Sequence, residues 1–206
     1  SECEVEMSGV AVQTVGVSGS APLIVFEDCS VEMTNSSFDG VEMAKGCVVD
    51  VVGGLDVLIG NISFDGVEGG NGEGGCLSVD CKHSDGDGTT QVNVSNCTFN
   101  ECSTSGEDRM QGGGLWIGVG ESTALYVLNC SFKGCSVGGD EEEMGNGMGG
   151  GMYLCLVDAS VVFEVKTPTF ENNDAWKGKD AFISSPDLTE AINLSNLPFL
   201  PTTQPE

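Results

Sequence analysis

Positive charge is scarce in this 206-residue chain: Lys and Arg number 7 against 32 Asp and Glu, for a formal net charge of −25. A surface of that sign repels nucleic-acid phosphates and anionic lipid headgroups, so neither nucleic acid nor direct membrane insertion is expected. No apolar run approaches the roughly 20 residues of a spanning helix, and no basic start followed by an apolar core marks a signal peptide. The chain opens on Ser1, which reads as a processed form or a segment of something longer. Histidine occurs once, at His83 beside Lys82 in a polar stretch, and arginine once, at Arg109. Without a CxxC pair or a second His, zinc is not expected, and a nucleophile has no plausible base. The glycine clusters are not followed by GK, so they are not phosphate loops. No cofactor is expected, and no catalytic residue is assigned.

Helical periodicity is also missing. Apolar residues three and four apart over a long window are hard to find, and Gly at 31 positions with interspersed Val argues against long helices. What recurs is a phrase around Phe38, Phe64, Phe99, Phe132 and Phe170. Three residues earlier stands Asn35, Asn61, Asn96, Asn129 or Thr167, and directly before each Phe stands a Ser or Thr. Five and seven residues earlier the side chains are apolar, from Met33 and Val31 to Val165 and Phe163. The Phe residues lie 26, 35, 33 and 38 apart, so a constant unit carries insertions in a loop.

A second phrase closes each unit: a glycine cluster followed by apolar residues at alternate positions, as in Gly112 to Gly114 followed by Leu115, Ile117 and Val119. Period two is the mark of a strand. Each unit thus holds two or three short strands, and the expected fold is all-β, a parallel β-helix of about six rungs in which equivalent residues stack about 4.8 Å apart. An antiparallel sandwich ranks second, because it leaves the recurrence of one chemical type at one phase unexplained. The inward phase must switch between Asn and Phe, so a bend is expected there, with the amides stacked as a ladder. The domain is expected to span 1–184, its first rung degenerate over 1–30, followed by an irregular cap and a Pro- and Thr-containing linker over 185–206.

Ten cysteines suit either an oxidising compartment or use as small core residues. Cys97 and Cys130 share one slot of neighbouring units, and Cys102 and Cys135 another; parallel side-chain vectors favour buried thiol ladders there over disulfides. Cys76 and Cys81 form a less regular pair. Asn35, Asn61, Asn93, Asn96, Asn129 and Asn193 match the glycosylation acceptor. Asn61, Asn96 and Asn129 are assigned to the structural ladder, which leaves Asn35, Asn93 and Asn193 as the candidates for modification. Asp85 and Asp87 alternate with glycines as in calcium loops but lack the further ligands of an EF-hand. The run Asp140 to Glu143 is a second acidic stretch. Solvated loops are expected at both, with calcium as the one metal alternative.

The GG-plus-aliphatic phrases GGGLWI and GGGMYL, paired with the Phe-x-x-Asn phrase at Phe170 to Asn173, resemble the repeats of polymorphic membrane proteins, large bacterial surface autotransporters, and similar repeat-rich protist surface proteins. The resemblance covers roughly residues 30 to 185. It implies a right-handed parallel β-helix related to the pectin-lyase architecture. Only the last unit has Asn in the fourth position; the others carry Val41, Val67, Cys102 and Cys135. The functional expectation is a non-catalytic extracellular or cell-surface rod that spaces, assembles or adheres. Loops at residues 65–75, 82–90, 103–111 and 136–148 would be displayed along it. Its expected partners are copies of itself, neighbouring domains of a longer chain, or surface glycans and proteins. The alternative is a carbohydrate-active enzyme, which requires charged side chains of adjacent rungs to converge in a groove.

Overall fold

The computed structural model describes residues 3–13, 16–17, 22–53, 56–70, 74–81, 90–105, 110–138, 147–158 and 161–188, and in it the alternating segments are strands. The first coil contains β1 (Cys3–Ser8), β2 (Ala11–Gln13), β3 (Gly16–Val17) and β4 (Ile24–Glu27). The second contains β5 (Cys29–Thr34), β6 (Ser37–Asp39), β7 (Glu42–Met43) and β8 (Val49–Val52). The third contains β9 (Asp56–Gly60), β10 (Ser63–Asp65), β11 (Glu68–Gly69) and β12 (Leu77–Cys81). The fourth contains β13 (Thr90–Ser95), β14 (Thr98–Asn100), β15 (Ser103–Ser105) and β16 (Leu115–Val119). The fifth contains β17 (Thr123–Leu128), β18 (Ser131–Lys133), β19 (Ser136–Gly138) and β20 (Met152–Leu156). The sixth contains β21 (Val162–Lys166), β22 (Thr169–Glu171) and β23 (Ala181–Ser184).

Equivalent strands of successive coils pair in parallel. They form a first sheet β1-β5-β9-β13-β17-β21, a second β2-β6-β10-β14-β18-β22, a third β3-β7-β11-β15-β19 and a fourth β4-β8-β12-β16-β20-β23. This is a parallel β-helix of six coils. One expectation needs correction. Five coils have four strands rather than two or three, because segments of two or three residues too short to show alternation form the third sheet. Parts of residues 65–75, 103–111 and 136–148 are therefore strand, not loop. In the first coil all six residues of β1 have partners in β5, from Cys3 with Cys29 to Ser8 with Thr34.

Inside, like sits on like. Val31, Val57, Val92 and Leu125 form one continuous column in register, and Met33, Ile59, Val94 and Val127 another. Phe38, Phe64, Phe99, Phe132 and Phe170 form a third, with ring centroids 4.9 to 5.2 Å apart and planes within 15° of parallel. That separation is set by the hydrogen-bonding distance between strands. The first four rings are fully buried, and stacked rings at such distances add about 0.5–1.5 kcal/mol per pair beyond area burial.

The bends are where the sequence phrase placed them, with a different geometry. Asn35, Asn61, Asn96, Asn129 and Thr167 all have φ between 50° and 54°, the left-handed region that Asn tolerates better than most residues. The phase switches at this residue itself, so its side chain faces solvent and the following position turns inward, as Ile62, Cys97 and Cys130 do. The amide ladder links Asn96, Asn129 and Thr167: Asn129 Nδ2 donates to Asn96 Oδ1 at 3.3 Å, and the Thr167 hydroxyl donates to Asn129 Oδ1. A second left-handed corner lies two residues after each Phe, at Gly40, Gly66, Glu101, Gly134 and Asn172. The glycine clusters serve close packing: a Cβ on Gly113 would stand 2.3 Å from the Gly150 carbonyl oxygen and 2.5 Å from that of Ser136.

Candidate functional site

The outer face of the first sheet carries an open groove of about 690 Å³ across the first four coils. Its strands alternate, so while Val5, Val31 and Val57 point inward, Glu4, Glu6, Glu32, Asp56, Leu58 and Asn93 line the groove. Glu6 and Glu32 are register partners on neighbouring strands, and Glu4 lies two residues along β1 from Glu6. By strand geometry these backbones are about 5 to 7 Å apart. These carboxylates share the outer face of the first sheet. The signal was present in the alternation of Glu4 and Glu6 with Cys3, Val5 and Met7, but the convergence needs Glu32 and Asp56 from later coils. All four carboxylates are exposed. Asp56 Oδ1 accepts a hydrogen bond from the Gln91 amide at 3.2 Å. Groups so placed can bind cations or hydroxyl-rich polymers through solvated contacts.

Asn93 sits in mid-strand between Leu58 and Tyr126, half-buried, and its Oδ1 has no hydrogen-bond donor among the described residues. Asn35 is exposed at its corner, its Nδ2 donating to the Thr34 hydroxyl at 3.3 Å. Asn61, Asn96 and Asn129 are equally exposed, so ladder position and outward exposure coincide. Asp85, Asp87 and Asn193 lie outside the described residues, as do Lys82, His83, Arg109 and the run from Asp140 to Glu143. Among the described residues no group of three or more His, Cys, Asp or Glu is arranged to hold a metal ion.

The cysteines depart most from expectation. Cys102 is bonded to Cys76 and not stacked as a thiol on Cys135, while Cys3 is bonded to Cys29. Both bonds join consecutive coils. Parallel vectors do not prevent bridging of Cys3 and Cys29, which are register partners with Cα atoms 4.7 Å apart. Cys81 does not pair with Cys76 but is buried in β12. Cys97 and Cys130 are buried thiols of adjacent coils, as the repeat implied, donating to the Ser95 and Leu128 carbonyls at 3.3 and 3.5 Å. A hydrogen bond to Cys130, together with burial, pushes the Cys97 thiol above its usual range. The same bond favours the thiolate at Cys130, where burial opposes it.

On the outer face of the fourth sheet, Asp50 lies between Val25 and Ser78 in a register column that continues through Trp116 and Tyr153 to Phe182. Burial raises the Asp50 carboxyl above its ordinary range; neighbouring Asp80 and Glu27 add to this, and a hydrogen bond with Ser78 opposes it. No family model, curated protein or solved structure matches the chain.

Proposed function

We propose that this chain is a non-catalytic structural or adhesive module of an extracellular or cell-surface protein, of the kind that polymorphic membrane protein-like repeats form. The observation that carries this reading is the pair of disulfides joining first to second and third to fourth coils. Structural disulfides persist in oxidising compartments and are rare in reducing ones. Four exposed corner asparagines, each followed two residues later by Ser or Thr, suit the same compartment. The groove and the corner columns then serve as binding surfaces repeated at the coil spacing. Their partners are surface glycans or proteins, neighbouring domains or further copies, and calcium is a candidate ligand of the acidic segments.

Antibodies to the folded chain would test this on intact and permeabilised cells of the source organism, with disulfide mapping of the native protein. Labelling of intact cells and both bonds present are expected. Cytosolic labelling with all ten cysteines alkylatable would overturn the reading.

The convergence of Glu4, Glu6, Glu32 and Asp56 favours one other reading, a carbohydrate-active enzyme acting in that groove. Release of reducing or unsaturated ends from a panel of polysaccharides, abolished by Glu6→Gln, would establish it; no turnover across the panel would dismiss it.

A further inference from the structure

We propose that the Cys76–Cys102 disulfide exchanges with the thiol of Cys135, so that a covalent staple between the third and fourth coils can move to join the fourth and fifth. The inference is independent of where the protein resides.

The three residues belong to three consecutive coils: Cys76 immediately precedes β12, Cys102 precedes β15, and Cys135 precedes β19. Cys102 is bonded to Cys76. On its other side Cys135 is held in register, because Asn100 pairs with Lys133, Ser103 pairs with Ser136, and the Ser136 amide donates to the Cys102 carbonyl at 2.8 Å. Such partners have backbones about 4.8 Å apart, within the range a disulfide spans. Along the coil axis Cys102 therefore lies between its present partner in the coil before and Cys135 in the coil after, whose Sγ turns back toward the Cys102 coil and donates to the Phe99 carbonyl at 3.3 Å.

In the step itself, the Cys135 thiolate forms a bond to Cys102 Sγ as the Cys76–Cys102 bond breaks. The electron pair departs on the Cys76 sulfur, which takes up the proton Cys135 released. One disulfide and one thiol enter and one of each remain, so neither oxidant nor reductant is needed. All three residues are fully buried, which shields the exchange from external thiols. Burial also pushes the Cys135 thiol up to about 11, so the thiolate is scarce at neutral pH and exchange is slow there.

The test incubates the folded, unmodified chain at pH 7, 8.5 and 10, quenches and unfolds it in acid, alkylates it with N-ethylmaleimide and digests it with trypsin. Cleavage after Lys82, Arg109 and Lys133 leaves Cys76, Cys102 and Cys135 on separate peptides, and fragment ions distinguish them from Cys47 and Cys81, from Cys97 and from Cys155 on the same peptides. A Cys102–Cys135 linked peptide is expected, with an equal amount of alkylated Cys76, at a rate rising about tenfold per pH unit below the thiol's pKa. Cys135→Ser should abolish it. Cys76→Ser, folded under mild oxidation, should carry the Cys102–Cys135 bond. The proposal fails if the original bond survives unchanged at pH 10, or if bonds to Cys47, Cys97 or Cys130 arise in comparable yield, which marks scrambling through unfolded chain. It also fails if folded Cys76→Ser has Cys102 and Cys135 both alkylated. Should that variant not fold, the time course of the unmodified chain decides.

Discussion

The rings of Phe99 and Phe132 lie 4.9 Å apart and within 3° of parallel, each fully buried between its neighbours in the column. Truncating a ring held on both sides leaves a cavity that the backbone ladders cannot close, because strand spacing is fixed by hydrogen bonds. Phe99→Ala should lower stability by about 3–5 kcal/mol. Phe170→Ala, at the half-buried end of the column, should cost less. Urea unfolding of both variants checks the ordering; equal losses would mean that the column is not a continuous element.

A paired glycine test probes coil spacing. Gly113→Ala brings a methyl within 2.3 Å of the Gly150 oxygen, so neighbouring coils must separate. Gly138→Ala meets nothing within 4 Å. Circular dichroism melts should show a large drop in Tm for the first and little change for the second.

Glu101 occupies a left-handed corner, φ 51°, where Gly40, Gly66 and Gly134 stand in other coils. Glycine relieves the Cβ clash, which costs about 1–2 kcal/mol, and returns part of that as chain entropy. Glu101→Gly should therefore stabilise the fold by about 0.5 kcal/mol. A lower urea midpoint would contradict the corner assignment.

Asp50 supplies a pH dependence. Because its folded pKa is raised, the folded chain holds a proton that the unfolded chain releases from the ordinary value of 3.8 upward. Stability is full below that value and declines as pH rises through the raised one. Asp50→Asn removes the decline, so its Tm advantage over the parent chain should be smallest in acid and grow toward neutrality. A difference independent of pH would show that Asp50 titrates as a solvated carboxyl.

Much of the fold was legible because stacking repeats one local environment: Phe, the apolar pairs and the corner Asn each announce a column. The third sheet was not, since pairs such as Glu42–Met43 are too short to alternate. The fourth position of the Phe-x-x-Asn phrase shows both sides. Val41, Val67, Cys102, Cys135 and Asn173 are all buried at that position of their coils. Asn173 is tolerated there because its Oδ1 accepts from the Cys135 amide at 2.9 Å and its Nδ2 donates to the Phe132 carbonyl at 3.1 Å. Cysteine pairing and the groove were illegible for a shared reason. Each depends on side chains from different coils meeting at one place, and a linear pattern records phase along the chain but not which neighbour a corner turns toward.

The two covalent links have a mechanical meaning. Each encloses a sequence separation of 26 residues, so a chain pulled from its ends carries tension across the link while the enclosed segment stays slack. Each such segment is about 90 Å of contour length that reductant alone can release. Stretched molecule by molecule, the oxidised rod should stop roughly 180 Å short of its reduced extension.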